Sequence, residues 1–303
     1  MLGKSLFFIF ALLVAVNGDG RIIFRFYHEP TYVTDYNVID FHTILNHPNF
    51  GRTRETVIFH YGAGQTIATP QVHDVITAYA SRQQFNFIVV VYDDVATIGT
   101  DNANALAAGI SSSLINLFDN GYSSGLMNLL GFSLGAQILA RSSRQVQNQS
   151  SRRHIIGRLT GLDPWSLGPI NSITIGTMSS ADAQWVESIH TEGAQRGDLE
   201  SRGHVSFFVN GGVAQPMCTQ ALPTARWDCS HVFALSVWAE SVRTTSLTFA
   251  SLRCDSWEEF VSGRCNTHEI AYMGRLNSAS TLRGSFMLAT NMQAPWSRNQ
   301  AQP

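Results

Sequence analysis

The chain has 303 residues, a formal charge of −2 at neutral pH and a hydrophobic fraction of 44%. A nearly neutral chain whose one basic cluster is the short run at residues 151–154 lacks the charge pattern of a nucleic-acid-binding protein, so we expect no nucleic-acid partner. The length and apolar content allow a substantial hydrophobic core.

The first segment, MLGKSLFFIFALLVAVNGDG, has the pattern of a secretory signal peptide. Lys4 precedes an apolar run at residues 6–16, and Val16 and Gly18 suit the small-residue positions of a cleavage site. The run is too short for a membrane-spanning helix, which needs about 20 residues, and a buried N-terminal helix is the alternative. We predict a signal peptide at residues 1–18, a single domain at residues 19–303, a secreted protein and no transmembrane segment.

Short apolar runs then alternate with segments of helical spacing. The apolar runs lie at residues 55–64, 84–94, 125–132 and 155–164, and the helical segments at residues 70–82, 102–118 and 134–146. Runs of this kind are typical of parallel strands buried on both faces. The alternation predicts an α/β fold, with a mostly parallel central sheet and helices on both faces. The loops after the strands should lie along one edge of that sheet.

One of these loops contains a serine between two glycines, in the sequence Gly131-Phe132-Ser133-Leu134-Gly135. The apolar run before it and the helical segment after it are the context of a nucleophile elbow, a sharp strand-to-helix turn that presents a serine hydroxyl. A Gly-Ser turn that only caps a helix is the alternative. The context favours Ser133 as a nucleophile.

A serine nucleophile needs a base and an acid that orients the base, and in this architecture the order is Ser, acid, His. Asp163 directly follows the apolar part, residues 155–162, of the run at residues 155–164. This position would place its carboxylate at the same edge as Ser133; a turn or N-cap role is the alternative. The later acids lie in polar stretches without such a run before them: Asp182, Asp198, Asp228 and Asp255.

Four histidines follow Asp163, and two of them are candidate bases. His231 lies two residues after Cys229, in a loop that a disulfide could hold in place, as a base requires. His190 ends another apolar run and remains the rival.

The four cysteines are an even number, as expected for an oxidising compartment. They allow three pairings, and the equal spacing of eleven residues favours two local disulfides, Cys218–Cys229 and Cys254–Cys265. The spacing does not fit a zinc site, and we expect no metal ion and no cofactor. The sequon at Asn148 falls in a polar stretch, residues 144–153, that predicts an exposed loop and a glycosylation site.

Several of these stretches together resemble the pancreatic-type (neutral) lipase family, which includes secreted insect lipases, wasp-venom phospholipases A1 and insect yolk proteins. The matching pieces run in order from about Arg54 to Trp296, and the most specific are GFSLGAQ, RLTGLDP, ADAQWVESIHTEG and CSHVFALSVWAESV. The resemblance implies the α/β-hydrolase fold. It also implies a lipase that cleaves the fatty-acyl esters of acylglycerols or phospholipids through an acyl-enzyme.

The resemblance also assigns the site. It implies Ser133 as nucleophile, Asp163 as orienting acid and His231 as base, and it gives His190 a structural place. The backbone N–H groups of Ala63 and Leu134 would form the oxyanion hole.

The sequence departs from the family pattern at two places. Tyr61-Gly62-Ala63 stands where the family usually has His-Gly-Phe, and Phe132 stands where it commonly has His. Neither change removes a catalytic atom, but both could alter the acyl pocket. Yolk proteins of the family lack the serine, so Ser133 argues against a silent carrier of lipids or hormone conjugates, which is the alternative function. Vertebrate members have a C-terminal β-sandwich, whereas this sequence ends soon after Trp296, so we expect no colipase-type partner.

The loops around the site suggest the substrate class. The segment between Cys218 and Cys229 and the loop at residues 194–202 are both short, as in the phospholipase A1 members. Leu222, Pro223 and Trp227 would either face a lipid surface or cover the domain. A lipid, or a lipid–water interface, is therefore the expected partner.

Overall fold

The computed structural model describes residues 22–29, 31–92, 99–166, 175–219, 222–275 and 282–298. The predicted signal peptide lies outside these residues, as do Asp93 and Asp94 at the end of one predicted strand.

Eleven strands form one sheet within the described residues. They are β1 (Ile22–Tyr27), β2 (Val33–Asn37), β3 (Thr56–His60), β4 (Asn86–Tyr92), β5 (Met127–Phe132), β6 (Arg158–Leu162), β7 (Trp185–His190), β8 (Val205–Val209), β9 (Ala250–Arg253), β10 (Asn266–Tyr272) and β11 (Gly284–Leu288). The order across the sheet is β10-β9-β11-β8-β7-β6-β5-β3-β4-β1-β2. The central strands from β11 to β4 are parallel, and antiparallel strands complete both edges.

The longer helices are α1 (Pro70–Ala80), α2 (Thr100–Asp119), α3 (Leu134–Gln149) and α4 (Pro223–Arg243), and a short α5 spans Trp257–Val261. The step from β3 to β4 runs in one direction across the sheet, and the steps from β4 to β5 and from β5 to β6 run in the other. Right-handed crossovers therefore put α1 on one face and α2 and α3 on the other. Accordingly, α1 packs against α4, and α2 packs against α3.

The strand order reverses between β3 and β5, which are neighbours in the sheet although β4 lies between them in sequence. Ligands of open α/β sheets bind outside the carboxyl ends of the strands at such a reversal. The residues just beyond β3 and β5 are Tyr61–Ala63 and Ser133. The topology therefore points to the place where the sequence predicts the site.

The predicted α/β fold is confirmed. All residues of β3 and β5 are buried, which explains why these strands read as continuous apolar runs. The predicted exposed loop at residues 144–153 is wrong in part, because α3 continues to Gln149. Asn148 is exposed in the last helical turn, whereas Ser150 of the sequon is buried and its hydroxyl accepts a hydrogen bond from the His154 N–H. Among the described residues, none of the helices has the length and apolar character that a membrane-spanning segment requires.

Candidate active site

Ser133 occupies the sharp turn between β5 and α3. Its backbone has φ 55° and ψ −125°, a strained conformation for a non-glycine residue. The flanking glycines permit the turn: a Cβ on Gly131 would lie 2.3 Å from the Ala136 Cα, and one on Gly135 would lie 2.3 Å from the His60 carbonyl oxygen. The Ser133 N–H donates to the Leu162 carbonyl at 2.9 Å, which ties the turn to β6. These features are those of a nucleophile elbow.

Asp163 directly follows β6 and is fully buried. It too has a positive φ, 42°. Its Oδ1 atom accepts hydrogen bonds from the backbone N–H groups of Thr191 (2.7 Å) and Glu192 (3.0 Å), just beyond β7. Its Oδ2 atom lies 2.5 Å from the Nδ1 atom of His231. Because Oδ1 is held by two donors, the carboxylate has one orientation toward the imidazole.

His231 lies on α4, not in a loop as the sequence suggested. The helix begins at Pro223, a residue well suited to the first helical position, so much of the segment between Cys218 and Cys229 is helical. Both predicted disulfides are confirmed, and Cys218–Cys229 ties the second turn of α4 to the short 3₁₀ turn Pro216–Cys218. His231 is therefore held by a helix and a nearby disulfide together.

His231 also lies beside the elbow. Its ring centroid is 4.6 Å from that of Phe132, the residue before Ser133. Its Nε2 atom is buried and has no hydrogen-bond partner among the described residues. With Nδ1 bonded to Asp163, Nε2 is the ring nitrogen left to accept a proton.

The turn after β3 approaches Ser133 closely. A Cβ on Gly62 would lie 2.9 Å from the Ser133 Cβ, so a side chain there would collide with Ser133. A hydrogen bond from the Gly62 N–H to the Gln65 Oε1 atom, at 3.1 Å, closes the turn. Ala63, the next residue, is exposed. Leu134 begins α3, where backbone N–H groups have no intrahelical acceptor. The two predicted oxyanion residues thus lie on the two backbone segments that meet at Ser133.

The structure also shows supporting residues that the sequence reasoning missed. Glu192 is fully buried, and its carboxylate accepts the N–H groups of Ala194, Gln195 and Arg196 at 3.0, 2.9 and 2.5 Å. Burial, and to a lesser degree the charge of Asp163, raises the pKa of Glu192. The one sequence signal was an acid two residues after the apolar run that ends in His190. Through its own N–H and this turn, Glu192 fixes the backbone that holds Asp163.

Gln215 connects three parts of the same edge. Its side chain donates to the carbonyls of Thr191 (2.8 Å) and Val209 (2.9 Å), and its backbone N–H donates to Ser230 Oγ at 2.9 Å. The loops after β7 and β8 are thereby joined to the residue before His231.

His190, the rival base, is fully buried at the end of β7. Its Nε2 bonds to Ser188 Oγ at 2.8 Å and its Nδ1 to the Asp198 carbonyl at 2.7 Å. With both ring nitrogens engaged inside the protein, His190 has a structural position and does not meet Ser133. Of the later acids compared with Asp163 in the sequence, Asp182 is buried and forms an ion pair with Arg144.

The loops predicted to set the substrate class are only partly as expected. Residues 194–202 form an irregular loop, whereas the disulfide-bounded segment is largely the start of α4. Leu222, just before that helix, is 78% exposed, and Trp227 is half-buried under the Arg226 guanidinium.

Loss of the Cys218–Cys229 disulfide should affect both stability and turnover. Closing a loop of this length contributes about 3 kcal/mol on the chain-entropy model, so replacing both cysteines by serine should lower the free energy of unfolding by about that amount. Because this link anchors the first turns of α4, we also expect kcat to fall. The matched control is the Cys254→Ser/Cys265→Ser pair, which closes a loop of the same separation elsewhere. Urea unfolding measures the stability of each double variant, and steady-state kinetics measures its kcat. An equal loss of kcat in the two double variants would contradict the anchoring role of Cys218–Cys229.

His60 gives the fold a pH dependence. It is fully buried at the end of β3, its Nδ1 donates to the Tyr61 carbonyl at 2.7 Å, and burial lowers its pKa from 6.5 to about 4. The folded protein binds this proton more weakly than the unfolded chain. The resulting stability is fully present above pH 6.5 and is lost as the pH falls toward 4, in total about 3 kcal/mol.

Replacing His60 by asparagine, which keeps a donor for the Tyr61 carbonyl, should flatten this dependence. The measurement is the free energy of unfolding between pH 7 and pH 4, with His73→Asn at an exposed position of α1 as the control. An unchanged slope in the His60 variant would show that another group carries it.

The elbow serine, the buried Asp–His pair and the mostly parallel sheet define an α/β-hydrolase fold. The family model described as Lipase matches residues 23–296, and the chain belongs to the lipase family.

Three relatives illustrate the match. The chain is 30% identical to lipase member H-B of Xenopus laevis over 223 residues, which cover 70% of this chain and 46% of that protein. It is 30% identical to phospholipase A1 member A of Rattus norvegicus over 54% of this chain and 35% of that protein. It is 29% identical to pancreatic triacylglycerol lipase of Myocastor coypus over 48% of this chain and 34% of that protein. The chain therefore spans about half, or less, of the length of these relatives.

Proposed function

We propose that the protein is a secreted lipase that hydrolyses fatty-acyl esters of acylglycerols or phospholipids through an acyl-enzyme. The observation that carries the proposal is the 2.5 Å contact between the buried Asp163 and His231, beside a serine on a strained elbow. The names of the relatives, lipases and a phospholipase A1, support lipid esters as the substrate class.

In the first half-reaction Ser133 Oγ attacks the ester carbonyl while His231 Nε2 takes the hydroxyl proton. The tetrahedral intermediate collapses, His231 returns that proton to the leaving alcohol, and the acyl group stays on Ser133. In the second half-reaction water attacks the acyl-enzyme while His231 Nε2 takes a proton from it. The bond to Ser133 Oγ then breaks, His231 returns the proton to that oxygen, and the fatty acid leaves. Asp163 holds the Nδ1–H tautomer of His231 and stabilises the imidazolium.

The oxyanion of each tetrahedral intermediate would be bound by the backbone N–H groups of Ala63 and Leu134. Each such donor contributes about 3 kcal/mol of barrier lowering. Because these are backbone groups, the change from His-Gly-Phe to Tyr61-Gly62-Ala63 keeps the donor and alters only the side chain.

Two observations support secretion and action at a lipid surface. The disulfides are typical of an oxidising compartment. Leu222 exposes an apolar side chain at the start of the helix that bears His231. We propose cleavage after residue 18 and a single catalytic domain from residue 19.

The test is turnover by the purified protein on triolein, on phosphatidylcholine and on a soluble short-chain ester, each with Ser133→Ala as the matched variant. We expect fatty-acid release that the substitution abolishes. Tight lipid binding with no ester release by either protein would instead indicate a carrier and overturn the proposal.

A further inference from the structure

Phe132 directly precedes Ser133 and has no role in the mechanism described above. It is the last residue of β5 and is 1% exposed. One side of its ring meets the turn after β3, since a Cβ on Gly62 would lie 3.1 and 3.2 Å from two ring atoms. The ring also meets His231, at a centroid distance of 4.6 Å and an interplanar angle of 40°. Phe132 therefore lies between the turn that carries Ala63 and the base.

This contact places an aromatic π system beside a side chain that becomes charged. Asp163 holds the Nδ1 atom of the His231 ring, and the Nε2 atom of that ring is buried without a partner among the described residues. When Ser133 gives up its proton, a positive charge forms on an imidazole with little access to water. The face of an aromatic ring attracts a cation within about 6 Å of its centroid, and the attraction is stronger where water is excluded.

The attraction is selective for the charged form of the base. A neutral imidazole gains little from the ring quadrupole, whereas an imidazolium gains the full interaction. Only an interaction that is stronger in the transition state than in the ground state raises kcat. The contact should therefore act on kcat and leave substrate binding unchanged.

We infer that Phe132 is a positioning residue of the proposed ester hydrolysis: it supports the His231 ring and stabilises its imidazolium form through the π face. This inference rests on the proposed function. An aliphatic residue of similar size would support the ring but would not stabilise the charge, so the contribution belongs to the aromatic character of Phe132.

The test replaces Phe132 by phenylalanines with one, two, three and five ring fluorines. Fluorine withdraws π density and leaves the shape nearly unchanged, which separates electrostatics from packing. On a soluble ester, log kcat should fall stepwise along the series, to about two- to thirty-fold below the unsubstituted protein. KM should stay constant, because the ring is 1% exposed and offers almost no surface to a substrate.

The same fluorinated residues at Phe24 provide the control. Phe24 is also fully buried and stacks on Phe41 at 4.1 Å, but it lies on β1, three strands from β5. This series should leave kcat unchanged, and Phe132→Leu should resemble the fully fluorinated variant at position 132.

The possible failures are distinguishable. A flat kcat series at position 132 in an active enzyme, or a change confined to KM, would overturn the role of Phe132 and leave the proposed function standing. If the unsubstituted protein hydrolyses no ester, the proposed function fails and this inference fails with it.

Discussion

Replacing Asp163 by asparagine should lower kcat by about four orders of magnitude while the protein stays folded. Oδ1 accepts hydrogen bonds from the N–H groups of Thr191 and Glu192, so the amide oxygen must take that place. The amide NH₂ then faces Nδ1 of His231 and requires that nitrogen to be an acceptor. The proton moves to Nε2, which can no longer act as a base.

The control for this prediction is Asp182→Asn. Asp182 is also fully buried, but its partners are Arg144 and the Ser179 N–H, not a histidine. It should lower the free energy of unfolding and leave kcat near the unsubstituted value. Steady-state kinetics measures kcat, and thermal unfolding shows whether each variant is folded. If kcat of Asp163→Asn falls by less than about tenfold, the orienting role of this carboxylate is contradicted.

Replacing Gly135 by alanine should damage both the fold and the site. The added Cβ would lie 2.3 Å from the His60 carbonyl oxygen and 2.5 Å from that of Tyr61. Both are backbone atoms, so α3 and the end of β3 must move apart, at a cost of about 3 kcal/mol. Ala63 lies two residues after Tyr61. A displacement of about 1 Å at Ala63 should therefore lower kcat by about a hundredfold.

Gly99→Ala is the matched control, because nothing lies within 4 Å of a Cβ at that position. Gly99 is the N-cap of α2 with a φ of −84°, so the substitution should cost less than about 1 kcal/mol and leave kcat unchanged. Urea unfolding and kcat on a soluble ester check both variants. Similar behaviour of the two would show that the approach of α3 to β3 is not required.

The parallel centre of the sheet could be predicted from the sequence because its strands are buried on both faces. Such strands read as apolar runs, and β3, β4, β5 and β6 were predicted within a few residues of their ends. The edges were not predicted. In β2, for instance, exposed and half-buried residues alternate, and what makes the segment a strand is its pairing with β1.

The site was predictable to the extent that it lies at strand ends. Ser133 and Asp163 each follow an apolar run, and the resemblance to a family separated His231 from His190. The support for Asp163 comes instead from backbone N–H groups, which no side-chain pattern reveals. The helical setting of His231 was missed because the two nearby cysteines suggested a loop, although Pro223 is a helix-start signal.

The assignment of Ser133 as the nucleophile is the central claim, and active-site labelling tests it most directly. A fluorophosphonate probe should form one adduct with the protein, located by peptide mass spectrometry at Ser133, and Ser133→Ala should form none. The control is Ser188→Ala, which removes a buried serine that bonds to His190 but does not lie on an elbow; it should be labelled like the unsubstituted protein. Labelling that persists in Ser133→Ala, or an adduct at any other residue, would contradict the assignment.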